Sequence, residues 1–193
     1  MSAGKGKGLS MQIRDTAAGY GLPTRAVHWI MAVAIIGMYV LGLWMVELNY
    51  YSPYYQSAPN LHRSVGILLL ILLTIRLGWR LANTHPADDE LSPIERWGSK
   101  IVHWGFYPLL FALMVSGYLM STADGRPVEV FDWFSVPAII EDKGMEKTAG
   151  EIHETLADIT MIVVLLHAIA ALKHHFFDRT RILTRMLSGP KKN

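Results

Sequence analysis

The stretch IHETLADITMIVVLLHAIAAL, residues 152–172, decides the fold. It has the length, about 20 residues, that an α-helix needs to cross the hydrocarbon core of a bilayer. From residue 159 to 166 it carries no ionisable side chain, so it reads as a membrane span. His153 and His167 stand near its two ends. Fourteen residues of helix separate them, a rise of roughly 21 Å with both side chains within about 40° of one face. A single helix thus presents an imidazole near each membrane surface, on a common side.

Three more segments of the same kind precede it, at about residues 26–46, 62–81 and 102–121. The composition agrees: 51% of the 193 residues are hydrophobic and 18% charged, with a mean hydropathy of +0.25, whereas a soluble domain carries about 25% charged residues. The expected fold is an all-α membrane protein, a four-helix transmembrane bundle spanning residues 26–172. Residues 1–25, rich in Gly, Lys, Ser and Thr, read as a flexible arm, and residues 173–193 as a basic tail. The first apolar run starts too late and is too long for a cleavable signal.

Orientation follows from Lys and Arg near the helix ends. The arm has four (Lys5, Lys7, Arg14, Arg25) and the tail six, and Arg96 and Lys100 lie between the second and third spans. Residues 47–61 have none, and residues 122–151 have three against seven acids. Both termini are therefore expected in the cytoplasm, with these two loops outside. Tyr50, Tyr51, Tyr54 and Tyr55, then Phe131, Trp133 and Phe134, suit an interfacial belt on that side. The tail from Asp178 to Leu187 alternates Arg with Ile, Leu and Met, as a short helix on an anionic leaflet would.

The chain has no cysteine. Disulfides, thiolate metal sites and covalently attached c-type haem are thereby excluded, and histidine is left as the strong soft-metal ligand. A net charge of +2 gives no reason to expect a nucleic-acid partner. Of eight histidines, five lie in or at the spans: His28, His62, His103, His153 and His167. Any one alone reads as an interfacial or hydrogen-bonding group, yet intramembrane ionisable residues mark function by default. His62 opens its helix at the level of His153, and His28 at the level of His167. Paired imidazoles on facing helices of an apolar bundle are the ligand set of a six-coordinate b-type haem. By depth alone His103 competes with His28, because Val27-His28-Trp29 and Val102-His103-Trp104 open their helices alike, and His174 is a further candidate one face-repeat beyond His167.

Neighbouring residues suit a large flat cofactor. Gly66, Ala157 and Ala32 each follow a histidine by four, and Ala168, Ala170 and Ala171 surround His167, although small residues also serve close helix packing. Arg63 beside His62, and Arg76 within the second span, are candidate partners for haem propionates; Arg25 reads more simply as a positive-inside residue. A zinc site wants about four convergent ligands, and only Glu151, His153, Glu154 and Asp158 gather in that manner. Asp158, two turns inside the fourth span, reads either as a protonation site for quinol chemistry or as a hydrogen-bonded packing residue. His85 falls in a polar turn.

These residues resemble the bacterial cytochrome b561 family, which includes the cytochrome b subunits of nickel hydrogenases. The carriers are Val27-His28-Trp29, Leu61-His62-Arg63-Ser64-Val65-Gly66, His103 with Tyr107, His153-Glu154-Thr155-Leu156-Ala157, and Leu166-His167-Ala168 continuing to His174-His175. Ser116-Gly117-Tyr118-Leu119 with Asp124-Gly125, and residues 130–137, are similar to one branch. The resemblance implies an inner-membrane protein with two haem b groups, one held by His62 and His153, the other by His28 and His167. His103 would then have no iron and lie near a quinone or a propionate. It also implies electron exchange with membrane quinone such as ubiquinone, and with a periplasmic redox protein or superoxide, the last as a superoxide:quinone oxidoreductase. The acidic 122–151 loop would repel that anion. The alternatives are an electron-conducting anchor of a larger dehydrogenase or hydrogenase-like complex, docking through residues 131–140, and a haem-free bundle that binds or moves metal.

Overall fold

The computed structural model describes residues 12–84, 86 and 90–189. His85, the first eleven residues of the arm and the last four of the tail lie outside the described residues. Among the described residues, four helices are long and apolar enough to cross a membrane: α1 (Leu22–Val46), α2 (Ser57–Ala82), α3 (Pro93–Thr122) and α4 (Met145–Phe176). Each contains the expected span and extends past it. α1 starts at Leu22, with Pro23 in its first turn, where a missing N–H costs nothing and a fixed φ favours the helix. Ahead of it, Asp15 accepts hydrogen bonds from the Gly21 amide (2.6 Å) and the Thr24 hydroxyl (2.9 Å). The arm is therefore tied to the bundle from about residue 12 onward.

α3 begins with a capping box, in which the Ser92 hydroxyl accepts from the Glu95 amide and the Glu95 carboxylate accepts from the Ser92 amide. These two bonds satisfy donors that a helix start leaves unpaired. Pro108 stands inside α3, a break in the backbone ladder that spanning helices tolerate when neighbours cover it. α3 packs most extensively on α4 and also on α2, α2 packs on α1, and α1 meets α4 only sparsely. The buried core of Met31, Leu69, Leu73 and Leu110 joins α1, α2 and α3. Large apolar side chains such as Val33, Val40, Ile75, Ile162 and Leu166 point outward, as they do when the solvent is lipid.

The chain is not helical throughout. β1 (Val128–Val130) and β2 (Phe134–Val136) form an antiparallel hairpin after α3, with Val128 opposite Val136 and Val130 opposite Phe134. Alternation explains its placement, since Val128 and Val130 are buried against Ile67 of α2 while Glu129 is exposed. The buried Ser64 hydroxyl donates to the Glu129 carbonyl (3.1 Å) and accepts from the Phe131 amide (3.2 Å). The Tyr118 hydroxyl donates to the Pro137 carbonyl (2.6 Å) and accepts from the Ile139 amide (3.1 Å). The hairpin is thus fastened over one end of the bundle, the end that also carries the 47–56 connection.

At the other end a short helix, α5 (Ile182–Leu187), folds back on the bundle. The Trp29 indole donates to the Met186 carbonyl and the Arg25 guanidinium to the Leu187 carbonyl, while Arg185 pairs with Glu90. Lys173 bridges Glu95 and Asp178 at 2.8 Å each.

Candidate functional site

The four spans bring the histidines into two groups. Toward the hairpin end, the rings of His62 (α2) and His153 (α4) face each other with centroids 6.2 Å apart. Toward the terminal end, those of His28 (α1) and His167 (α4) are 6.4 Å apart. Two imidazoles on opposite sides of one metal ion, each with its nitrogen about 2 Å from the metal, have ring centres about 6 Å apart. Both pairs have that separation. His103 comes to 5.2 Å from His167, edge to face, and its Nδ1 shares a hydrogen bond of 3.1 Å with the Ser99 hydroxyl. Phe106 also stands edge-on to His167, at 5.7 Å.

The hairpin-end pair lines a cavity of about 360 Å³ between the helices, walled by apolar side chains including Ile35, Met38, Met114 and Met161. That volume falls within the range of about 300–1,000 Å³ usual for ligand sites. His153 is held by backbone: its Nδ1 donates to the Leu113 carbonyl at 2.8 Å, with the Ser116 hydroxyl at 3.4 Å. Carrying the proton on Nδ1 leaves the Nε2 lone pair free, which is the arrangement by which proteins orient a metal-binding imidazole. Gly117 makes the approach of α3 to this ring possible, because a Cβ there would stand 2.8 Å from the ring. The Nδ1 of His62 is buried and has no hydrogen-bond partner among the described residues, so its ring too is set by packing around the cavity. The residues present therefore fit a planar, metal-centred group with nitrogen ligands.

Arg63 and Arg126 reach the mouth of the same cavity, together with Asp124 and Glu146. Arg63 donates to the Asn60 side chain and the Pro59 carbonyl. Arg126 pairs with Asp124 and holds that carboxyl below its ordinary range. Gly125 between them has a φ of +85°, a conformation that glycine adopts at little cost. Arg76 lies at the terminal-end pair, with its guanidinium 3.1 Å from His28 Nδ1 and 3.7 Å from the Met31 sulfur.

Other candidates are placed elsewhere. His174 is bonded to Asp178 at 2.6 Å. Glu95, His174 and Asp178 offer three ligand atoms within 4.8 Å of one another, but Lys173 supplies the neutralising cation there. Glu151, His153, Glu154 and Asp158 do not converge: Glu151 faces Lys147, His153 turns into the bundle, and Asp158 accepts from the Tyr39 hydroxyl at 2.8 Å. Sequence reasoning passed over Leu113, Ser116, Gly117 and Arg126 as site residues. Of these, only the Ser-Gly pair at the level of His153 gave a usable signal, since a carbonyl partner leaves none.

A membrane-spanning four-helix bundle with paired intramembrane histidines defines a class of electron-carrying haem proteins. Residues 19–189 match the family model described as prokaryotic cytochrome b561, and the chain belongs to that family. It is accordingly a multi-pass protein of the bacterial inner membrane, a b-type haem protein of electron transfer. It is 45% identical over 179 residues to cytochrome b561 homolog 2 of Escherichia coli (strain K12), covering 92% of this chain and 95% of that protein. It is 28% identical over 169 residues to the probable superoxide oxidase CybB of Yersinia pestis, with 86% and 93% covered. A formate dehydrogenase cytochrome b556(fdo) subunit of E. coli is 28% identical over 188 residues, with 84% and 82% covered.

Proposed function

We propose that this chain is a two-haem cytochrome that carries electrons across the inner membrane, exchanging them with the quinone pool on one side of the reaction and a periplasmic redox partner on the other. The observation that carries this reading is the spacing of two stacked imidazole pairs, 6.2 and 6.4 Å between centroids, with His153 oriented by a backbone carbonyl. His62 and His153 hold the periplasmic haem, and His28 and His167 the cytoplasmic one. A haem held by either histidine pair would supply one-electron transfer chemistry. Both termini are cytoplasmic on this reading, supported by the Lys and Arg excess at that end.

The chain's own residues set up the two sites. Gly117 and the Leu113 carbonyl fix the His153 ring, and Arg63, at the same cavity, would be available to the carboxylates of a haem bound there. At the cytoplasmic site the Arg76 guanidinium can only donate, so His28 accepts at Nδ1 and carries its proton on Nε2. A haem held through Nε2 would require the His28 proton on Nδ1, and Arg76 would then be available to a haem carboxylate. His103 touches His167 at a spacing too short to share an iron with it and serves as a polar neighbour, bonded to Ser99.

A reduced-minus-oxidised spectrum of the purified protein with haem counted per chain tests this. Two b haems are expected. His62→Ala or His153→Ala should lose one and His28→Ala or His167→Ala the other; loss in His103→Ala with intact content in His28→Ala would overturn the cytoplasmic pairing. Quinol should reduce the isolated protein.

A second reading, an electron-conducting anchor for a larger dehydrogenase, is favoured by the likeness to a formate dehydrogenase subunit and by the exposed hairpin aromatics Phe131, Trp133 and Phe134. Failure of quinol to reduce the protein without a partner would support it. Superoxide suits the periplasmic side less well, because Arg126 is already neutralised by Asp124 and the surrounding loop is acidic.

A further inference from the structure

At the terminal end of the bundle, the close of α4 and the short α5 enclose an open pocket of about 610 Å³. Its lining is His175, Arg179, Thr180, Arg181, Thr184 and Ser188, completed by Gly189. The three hydroxyls are committed to the backbone: Thr180 donates to the His174 carbonyl, Thr184 to that of Arg181 and Ser188 to that of Thr184. The side-chain donors left to the pocket are therefore the nitrogens of His175, Arg179 and Arg181. Nearby carboxylates are already engaged, Asp178 by Lys173 and His174, and Glu90 by Arg185 and the Arg181 amide. Neither the Arg179 nor the Arg181 guanidinium has an ion pair among the described residues. Arg25 adds a further cation, so near Gly189 that a Cβ there would stand 3.1 Å from its Cζ. The buried Arg25 Nε and His175 Nδ1 have no hydrogen-bond partner among the described residues. Such a lining suits an anion, and paired guanidinium groups suit a phosphate above all.

The flanks of the pocket are apolar and exposed. Phe176, whose ring lies 4.8 Å from that of His175, is 69% exposed, and Leu172, Phe177 and Leu187 are exposed as well. The Trp29 indole donates to the Met186 carbonyl of α5, which sets this short helix at the depth where indoles collect, the border between hydrocarbon and headgroups. A soluble anion gains nothing from such flanks, whereas the acyl chains of a lipid do.

We propose that this pocket binds the phosphate of one anionic phospholipid, with Arg179 and Arg181 on the phosphate oxygens and the acyl chains along Leu172, Phe176 and Leu187. The sequence alone predicts only a basic helix lying on an anionic leaflet. Folding α5 back on the bundle turns that diffuse attraction into a site with a shape. None of its residues belongs to the histidine pairs, so the assignment does not depend on the haem reading.

The test is native mass spectrometry of the haem-loaded full chain, titrated in detergent with phosphatidylglycerol. One retained lipid per chain is expected. Arg179→Gln and Arg181→Gln should each weaken retention about fivefold, with the haem spectrum unchanged, and Arg179→Lys should keep most of it. Lys100→Gln removes an exposed cation at the same end but outside the pocket and should change nothing. A photoactivatable phosphatidylglycerol, used on the unmodified protein, should crosslink within residues 172–189. Crosslinks confined to other residues, or retention that survives the Arg179→Gln/Arg181→Gln double variant, overturn the site. Equal weakening by Lys100→Gln, or equal retention of zwitterionic phosphatidylcholine, reduces the effect to general surface attraction and likewise overturns it. Displacement of the lipid by inorganic phosphate at matching concentration would make the ligand a soluble anion and overturn the lipid assignment.

Discussion

Gly117 shows how much a single missing methyl group decides. Its position lets α3 pass so close to His153 that a Cβ would press on the ring at 2.8 and 2.9 Å. Gly117→Ala should therefore displace the imidazole and lower haem content toward one per chain, with the spectrum of the second haem unchanged. Arg76 makes a comparable test at the other pair. Arg76→Gln keeps a donor but removes the charge, and it should shift the midpoint potential of one haem only, read by redox titration; a shift of both would place Arg76 in a shared role. The histidines were legible as residues because imidazole is rare and costly within a span. The Leu113 carbonyl was not, and the Ser116-Gly117 pair marked a place without its role, which depends on what α4 brings opposite it.

At the scale of elements, the hairpin and the tail are held by few contacts, and each contact is testable. Ser64 is buried and makes both hydrogen bonds that tie the hairpin to α2. Ser64→Ala leaves a backbone carbonyl and an amide without their partner and should destabilise the hairpin by about 1–3 kcal/mol, seen as faster hydrogen exchange of residues 128–136 with the four spans unaffected. The tail junction should respond to pH. Lys173 and then His174 hold the Asp178 carboxyl below its usual range. A depressed carboxylate stabilises the folded junction fully above the ordinary value of about 3.9, and that contribution is lost as pH falls through the lower folded value. Limited proteolysis after Phe176 should accelerate below about pH 4, and Asp178→Asn should be cleaved readily and without that dependence. The four spans were readable from length and hydropathy alone. The strands were not, because three residues each, flanked by aromatics, give an alternation too short to separate from an interfacial loop, and their burial comes from Ile67 of another element.

For the whole molecule, the absence of cysteine makes the proposed orientation directly measurable. A single Lys143→Cys should react with a membrane-impermeant maleimide added to spheroplasts, whereas Ser188→Cys should react only after permeabilisation; the reverse pattern would invert the topology. The amino-acid sequence by itself determined that the chain has four segments long and apolar enough to cross a membrane, that it has no thiolate to offer a metal, and that His153 and His167 share a face at two depths. These follow from local quantities: the thickness of hydrocarbon, the inventory of side chains and the pitch of a helix. Only the tertiary structure decided how closely the partner rings approach, that His103 touches His167, that residues 128–136 fold as a hairpin, and that Asp158 meets Tyr39. Each of these depends on the rotation and separation of neighbouring helices. Packing of side chains far apart in the chain sets those two variables, and no periodicity within one segment encodes them.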